Sequence, residues 1–295
     1  MGSLDPRVHI GAVTLRVADL DRQLAFYSGV LGLRDIARDS ESMLCADGAR
    51  PLLRLELEPD AAPPPPGTTG LFHTAIRYPT RAALADALRR VVEAGLRLDG
   101  AADHGVSEAL YLSDAEGNGV ELYWDRPAES WPRATDGRGV AMYTARLDLQ
   151  DLLAQADPAA DLVGPVDAAT DVGHVHLRVS DVERSKRFYS EFVGLDVMQL
   201  WSGQAAFLSA DGYHHHVGMN VWQSRGGPPA PPGTTGLHRF ALAFPDDEAL
   251  GTAVERIGAA GVELDELDEL DAGAALLSDP DAIPVELAVE RPRAD

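Results

Sequence analysis

The chain has 295 residues, enough for two modest domains with cores of their own, and its composition, 45% hydrophobic and 24% charged, is that of a soluble globular protein. A formal charge of −22 excludes DNA or RNA as partners, since nucleic acid needs a basic face. No apolar run approaches the ~18 residues of a membrane span, the opening MGSLDPRVHIG lacks the core of a secretory signal, and the single Cys45 leaves no intrachain disulfide, so a reducing cytoplasm is the expected setting.

In chain order, the first quarter opens with a short strand. Asp19 then offers a helix N-cap, and Leu20, Leu24, Tyr27 and Leu31 recur at helical spacing. The connector PDAAPPPPGTTG cannot form a central strand or a helix interior. In the second quarter Leu84, Leu88 and Val91 form the helical stripe and Gly95 ends it. Residues 128–170 read as a linker with one helix near Leu149–Gln155. The third quarter has Asp181 as cap with Phe188 and Phe192 packing, and GGPPAPPGTTG follows it. The fourth has Leu250, Val254 and Ile257, ending at Gly261. Apolar runs separated by turn residues follow each helix, as three antiparallel strands would require.

The halves are copies of one another. LRVADLDRQLAFYSGVLGL (15–33) returns as LRVSDVERSKRFYSEFVGL (177–195), PPGTTGL occurs at 65–71 and 231–237, and ALYLSDAEGNGVEL (109–122) returns as AALLSDPDAIPVEL (274–287). The expected class is therefore α+β, with four βαβββ modules: A (about 8–60), B (71–127), C (172–224) and D (237–291). Modules A and B form an N-terminal half, 1–127, and C and D a C-terminal half, 171–295.

Comparing the copies isolates three ligand candidates. His174 lies seven residues before the capping Asp181, where module A has Ala12. His73 lies six before Pro79, where module D has Arg239. Glu121 in the last strand of B has Glu286 as its counterpart in D. Alternation puts Val175, Leu177 and Val179 toward a helix and His174, His176 and Arg178 on the other face. One strand histidine alone is more often packing than ligand. We read His176 as a polar strand residue, His9 and His238 as structural and Glu286 as a remnant of duplication. Together, His73, His174 and Glu121 would make a facial triad suited to Fe(II), with Mn(II) or Zn(II) accepted by the same donors.

In VADLDRQLAFYSGVLGL, DHGVSEALYLSDAEGNGVELYWDRP, GHVHLRVSD and ADGYHHHVGMNVW, the chain resembles the vicinal oxygen chelate superfamily, and within it the Bacillus-type catechol 2,3-dioxygenases. The resemblance implies two cup-shaped half-barrels and O₂-dependent cleavage of catechol or a substituted catechol at Fe(II). Carried onto this sequence, it implies His104 as an outer-sphere histidine, Tyr111 as an active-site tyrosine, Glu121 as a ligand and His215 as the acid–base residue. Alternation along His214–Val221 instead puts His214 and His216 on the more polar face, unless a bulge resets it. Under this reading His215 takes a substrate proton and returns one, its imidazole near the ordinary ~6.5, while Tyr111 bonds a substrate oxygen and His104 closes the site.

Modules B and C hold every such element, so B is expected to pair with C around the metal and A with D as a metal-free scaffold, within one chain or across a homodimer. Two other functions stay open. One is a different metal-dependent enzyme of the fold, a glyoxalase-type lyase or isomerase that would take a further ligand from the strand of Asn220. The other is a non-catalytic binder of small molecules.

Overall fold

The computed structural model describes residues 4–38, 41–135, 139–266 and 274–290; residue 291, the expected end of module D, lies outside them. Module A comprises β1 (His9–Val17), α1 (Leu20–Tyr27), β2 (Arg34–Arg38), β3 (Glu41–Cys45) and β4 (Pro51–Leu57). Module B comprises β5 (Gly70–Arg77), α2 (Arg81–Glu93), β6 (Gly100–Asp103), β7 (Ser107–Ser113) and β8 (Gly119–Asp125). The linker carries β9 (Ala145–Arg146) and α3 (Leu149–Leu153), at the position expected of its helix. Module C has β10 (Asp171–Arg178), α4 (Val182–Arg187), β11 (Asp196–Trp201), β12 (Ala205–Ser209) and β13 (Val217–Asn220). Module D has β14 (Gly236–Phe244), α5 (Asp247–Ala259), β15 (Asp265–Glu266), β16 (Ala275–Ser278) and β17 (Pro284–Val289).

The helices begin where their caps dictate. The Asp19 and Asp181 carboxylates accept from the N–H groups of Arg22 and Arg184, satisfying donors that the first helical turn leaves free. In α2, Leu84, Leu88 and Val91 are buried as the stripe requires. Among the described residues, no helix is long and apolar enough to cross a membrane.

Two curled sheets form the half-barrels of an α+β fold. One has the order β15-β16-β17-β14-β1-β4-β3-β2, the other β11-β12-β13-β10-β5-β8-β7-β6-β9. Each sheet thus takes one module from each half: β1 of A pairs antiparallel with β14 of D, and β5 of B with β10 of C. This is the pairing expected from the emptied ligand positions, and it occurs within a single chain. An apolar core runs through all four modules, including Val13, Leu15, Ile76, Val175, Leu177 and Leu242.

The repeated FY and SD motifs tie one sheet to the other. The Tyr27 hydroxyl of module A donates to Asp114 of module B, and Tyr189 of C donates to Asp279 of D. Burial chiefly pushes the Asp279 carboxyl up to about 6, against its own hydrogen bonds from backbone N–H groups. The folded chain therefore holds a proton that the unfolded chain, with a value of 3.8, releases earlier. Stability from this group is full below about pH 4 and lost as pH rises through about 6, on the order of 3 kcal/mol. Asp279→Asn is expected to flatten that part of the pH profile of thermal unfolding; an unchanged slope between pH 4 and 6 would contradict it.

In the A–D sheet the ligand positions hold a different chemistry. The Arg239 guanidinium reaches Glu286 at 3.2 Å and Glu56 at 3.0 Å, and His238 also bonds Glu56. Glu286 is thus the partner of a fixed cation.

Candidate metal centre and catalytic pocket

The B–C sheet brings the three ligand candidates together. His73 on β5, His174 on β10 and Glu121 on β8 are all buried. Glu121 Oε2 lies 2.8 Å from His73 Nε2 and 3.1 Å from His174 Nε2. Donors about 2.1 Å from one ion at right angles stand about 3 Å apart, so this spacing suits a shared cation. His73 Nε2 makes no hydrogen bond despite that proximity, which is convergence on a point rather than donor–acceptor alignment. Burial lowers His174 to about 4, so its imidazole is neutral at neutral pH. Burial alone would raise Glu121, but the His174 and His73 rings hold it well below the usual carboxylate range. Neutral imidazole and ionised carboxylate are the protonation states a metal ligand needs.

A second group of His174, His214 and His215 also has donor atoms within 4.8 Å of one another. Of that group only His215 lines the neighbouring cavity, whereas His73 and Glu121 both do. A cation held by the first group is therefore the one that a ligand in the cavity could reach.

The cavity is about 570 Å³. Its walls are aromatic: Phe72 lies edge-on to Trp222 at 5.3 Å, and Phe207 to His215 at 5.0 Å. His176, buried on β10 beside His73, also lines it and leaves Nε2 without a partner. Burial holds His176 well below the ordinary imidazole value, so it is a neutral wall of the pocket and more than a polar strand residue.

Tyr111 and His104 form one unit at the cavity edge. His104 Nδ1 lies 2.8 Å from the Tyr143 carbonyl, which can only accept, so this nitrogen carries the proton. His104 Nε2 lies 2.8 Å from the Tyr111 hydroxyl, within hydrogen-bond distance. Burial, and next the charge of Glu121, raise the Tyr111 hydroxyl well above the ordinary phenol value, so it stays neutral.

The histidine triplet is not a strand: β13 begins only at Val217, and residues 213–216 form a bend. Alternation therefore has nothing to act on, and each ring finds its own surroundings. His215 stacks on His174 with centroids 4.0 Å apart and lines the cavity. Burial, then the neighbouring imidazoles, depress it well below the ordinary value, unlike the unperturbed base expected from sequence. His216 turns its Nδ1 to Ser209 and the Ala210 N–H. His214 bonds Asp125 at 2.7 Å.

Asp125 escaped sequence reading, as did Tyr213 and Arg77. Its Oδ2 accepts from the Tyr213 hydroxyl and Arg77, while Arg77 also pairs with Asp171 across β5 and β10. Burial would raise the Asp125 carboxyl, but His214 and Arg77 hold it below the usual value. No motif connects these positions; only the B–C pairing joins them.

The sheet register also locates the empty fourth corner. Ala75, two residues after His73, faces Glu121, and His176, two after His174, faces Gly218. The counterpart of Glu121 in module C is thus Gly218, not Asn220. A Cβ there would meet the His176 ring at 2.7 Å. Asn220 is spent locally, its Oδ1 accepting from the Trp222 N–H.

A profile of the Glyoxalase/Bleomycin resistance protein/Dioxygenase superfamily matches residues 9–122 and 171–287. A catechol-2,3-dioxygenase of Bacillus subtilis (strain 168) is 41% identical over 271 residues, covering 91% of this chain and 94% of that protein. A provisionally named dioxygenase structure from Bacillus subtilis subsp. subtilis str. 168 superposes with a TM-score of 0.68 at 16% identity, covering 96% of this chain and 86% of that one. Glyoxalase I from Zea mays gives a TM-score of 0.58 at 17% identity, over 95% and 92% of the two chains. At those identities the two structures show a common fold, and it serves more than one chemistry. With four modules, two half-barrels, a profile match in both halves and a relative along nearly its whole length, the chain belongs to the glyoxalase/bleomycin resistance/dioxygenase (vicinal oxygen chelate) superfamily.

Proposed function

We propose that the protein is an Fe(II)-dependent extradiol dioxygenase that opens the ring of catechol or a substituted catechol with O₂. The observation that carries this reading is the three-donor set beside Gly218. Two imidazoles and one carboxylate leave several coordination positions for a substrate with two adjacent oxygens. A glyoxalase-type lyase would want a further protein donor, and neither Gly218 nor the locally bonded Asn220 provides one. The relationship to the Bacillus subtilis catechol-2,3-dioxygenase supports the same choice.

His73, His174 and Glu121 would hold the iron, which supplies Lewis acidity and a template for bringing substrate and O₂ together. Phe72, Phe207 and Trp222 receive the flat ring and keep bulk water from it. His215, neutral and next to His174, takes a substrate hydroxyl proton and later returns it. Tyr111, hydrogen-bonded to His104 at the cavity edge, bonds a substrate oxygen.

The test is anaerobic loading with Fe(II), then catechol and air. A yellow semialdehyde product with one O₂ consumed per ring is the expected result. Stoichiometric iron without O₂ uptake on catechol or its 3- and 4-substituted forms would overturn the reading.

A further inference from the structure

We infer that Arg178 is an anion site in the wall of the cavity, so that the preferred substrates are catechols carrying a carboxylate at the end of the ring away from the two hydroxyls. The diol half of this inference rests on the dioxygenase reading, whereas the anion site does not. Arg178 is the last residue of β10 and lines the cavity. His174, His176 and Arg178 occupy every second position of that strand and share one face. Their order runs from a proposed ligand, through a wall of the cavity, to the guanidinium, about 13 Å along the strand. A ring chelated through its hydroxyls at one end therefore turns its opposite carbons toward Arg178.

Among the described residues no carboxylate pairs with this guanidinium, and its Nε is buried without an acceptor. The two acids that line the cavity are engaged elsewhere, Asp99 by Ser113 and Glu121 by the ligand histidines. Asn220, beside Arg178 on β13, is fully buried and also leaves its amide Nδ2 without an acceptor. The duplicated modules show what is missing. Arg77 of module B stands three residues before the cap Thr80, as Arg178 stands three before the cap Asp181. Arg77 is held by two carboxylates, Asp171 and Asp125. Asp171 faces Arg77 across β5 and β10, and Gly70 faces Arg178 in the same way. Asp125 lies two residues after Tyr123, the neighbour of Arg77; Trp222 lies two after Asn220, the neighbour of Arg178. Both acids are therefore replaced in module C, by Gly70 and Trp222. A Cβ on Gly70 would meet nothing within 4 Å, so the place of one acid is open space. Trp222 lines the cavity where the other would be. Burial lowers the Arg178 pKa with no neighbouring charge to oppose it, and a guanidinium stays protonated all the same. At a net charge of −22 the field of the chain repels anions, so only a local contact of this kind would favour a carboxylate.

The test compares 3,4-dihydroxybenzoate, 3,4-dihydroxyphenylacetate and 3-(3,4-dihydroxyphenyl)propanoate, each with its methyl ester, which keeps the shape and removes the charge. Binding is read anaerobically from tryptophan fluorescence, on metal-free and on iron-loaded protein. Two of the four tryptophans, Trp201 and Trp222, line the cavity. At least one acid is expected to bind about 10- to 100-fold more tightly than its ester, the range for a hydrogen bond between ionised groups. In air the iron-loaded protein should show the same advantage in kcat/KM, carried by KM. In Arg178→Gln the acid-to-ester ratio should fall to about 1, whereas Arg178→Lys, which keeps the charge, should retain part of it. Ratios of about 1 for all three pairs in the native protein would overturn the inference, as would a full acid preference in Arg178→Gln. The ester comparison needs no variant, so the inference stands or falls even if Arg178→Gln does not fold. Acid preference in binding by protein inert toward every catechol in air would count against the dioxygenase reading alone. Cleavage of catechol and of the esters without acid preference would count against the anion site alone.

Discussion

Glu121→Ala is expected to remove ring cleavage, by at least about 10³-fold, together with the stoichiometric metal. Glu121 is the one carboxylate of the proposed triad, and it lies within 3.1 Å of both imidazole nitrogens. Without it, two neutral rings face a divalent ion with no anionic donor between them. Metal content after desalting, measured beside turnover, separates loss of the ion from loss of chemistry. In the metal-free chain the His174 and His73 rings hold Glu121 well below the usual carboxylate range, so the substitution also removes a stabilising buried contact and that form should unfold more easily than the native one. A variant that kept a full complement of iron and native turnover would sink the ligand assignment.

His215→Gln should lower kcat about 10²- to 10⁴-fold, the range for a lost acid–base group, with iron content unchanged. The control is its neighbour. His216 is bonded to Ser209 and the Ala210 N–H, so His216→Gln should affect stability and leave the iron-loaded kcat near native. The reverse outcome, native kcat in His215→Gln, would assign the proton transfer elsewhere. Because His174 stacks on His215, metal stoichiometry must be measured in both variants before kcat is compared.

Much of the fold is legible because the chain repeats itself. Caps such as Asp19 and Asp181, and stripes such as Leu84, Leu88 and Val91, depend on local spacing, and local spacing is what a sequence records. The B–C pairing is legible for a subtler reason: Ala12 and Arg239 break the pattern where modules B and C keep it. What is not legible depends on register and on side chains meeting from distant elements. Asp125, Tyr213 and Arg77 lie on three separate segments with no shared motif. Gly218 becomes the counterpart of Glu121 only once β13 is aligned beside β10. The histidine triplet misleads because alternation assumes a strand, and the bend before Val217 sends three adjacent rings to three different surroundings. The helix of module C likewise changes to a wider π turn at Phe188–Val193, which its FY motif does not announce.

Arg239 has one more consequence. It holds two carboxylates of the A–D sheet with a cation that the ribosome itself supplied, whereas the donor set proposed in the B–C sheet would take its cation from solution. If metal is scarce, only one of the two sheets is left with a buried carboxylate facing an empty place. The other half-barrel, and with it the Tyr27 and Tyr189 ties between the sheets, is independent of the supply. Under the proposed ligand assignment, the duplicated architecture would thus stand assembled before the metal arrives.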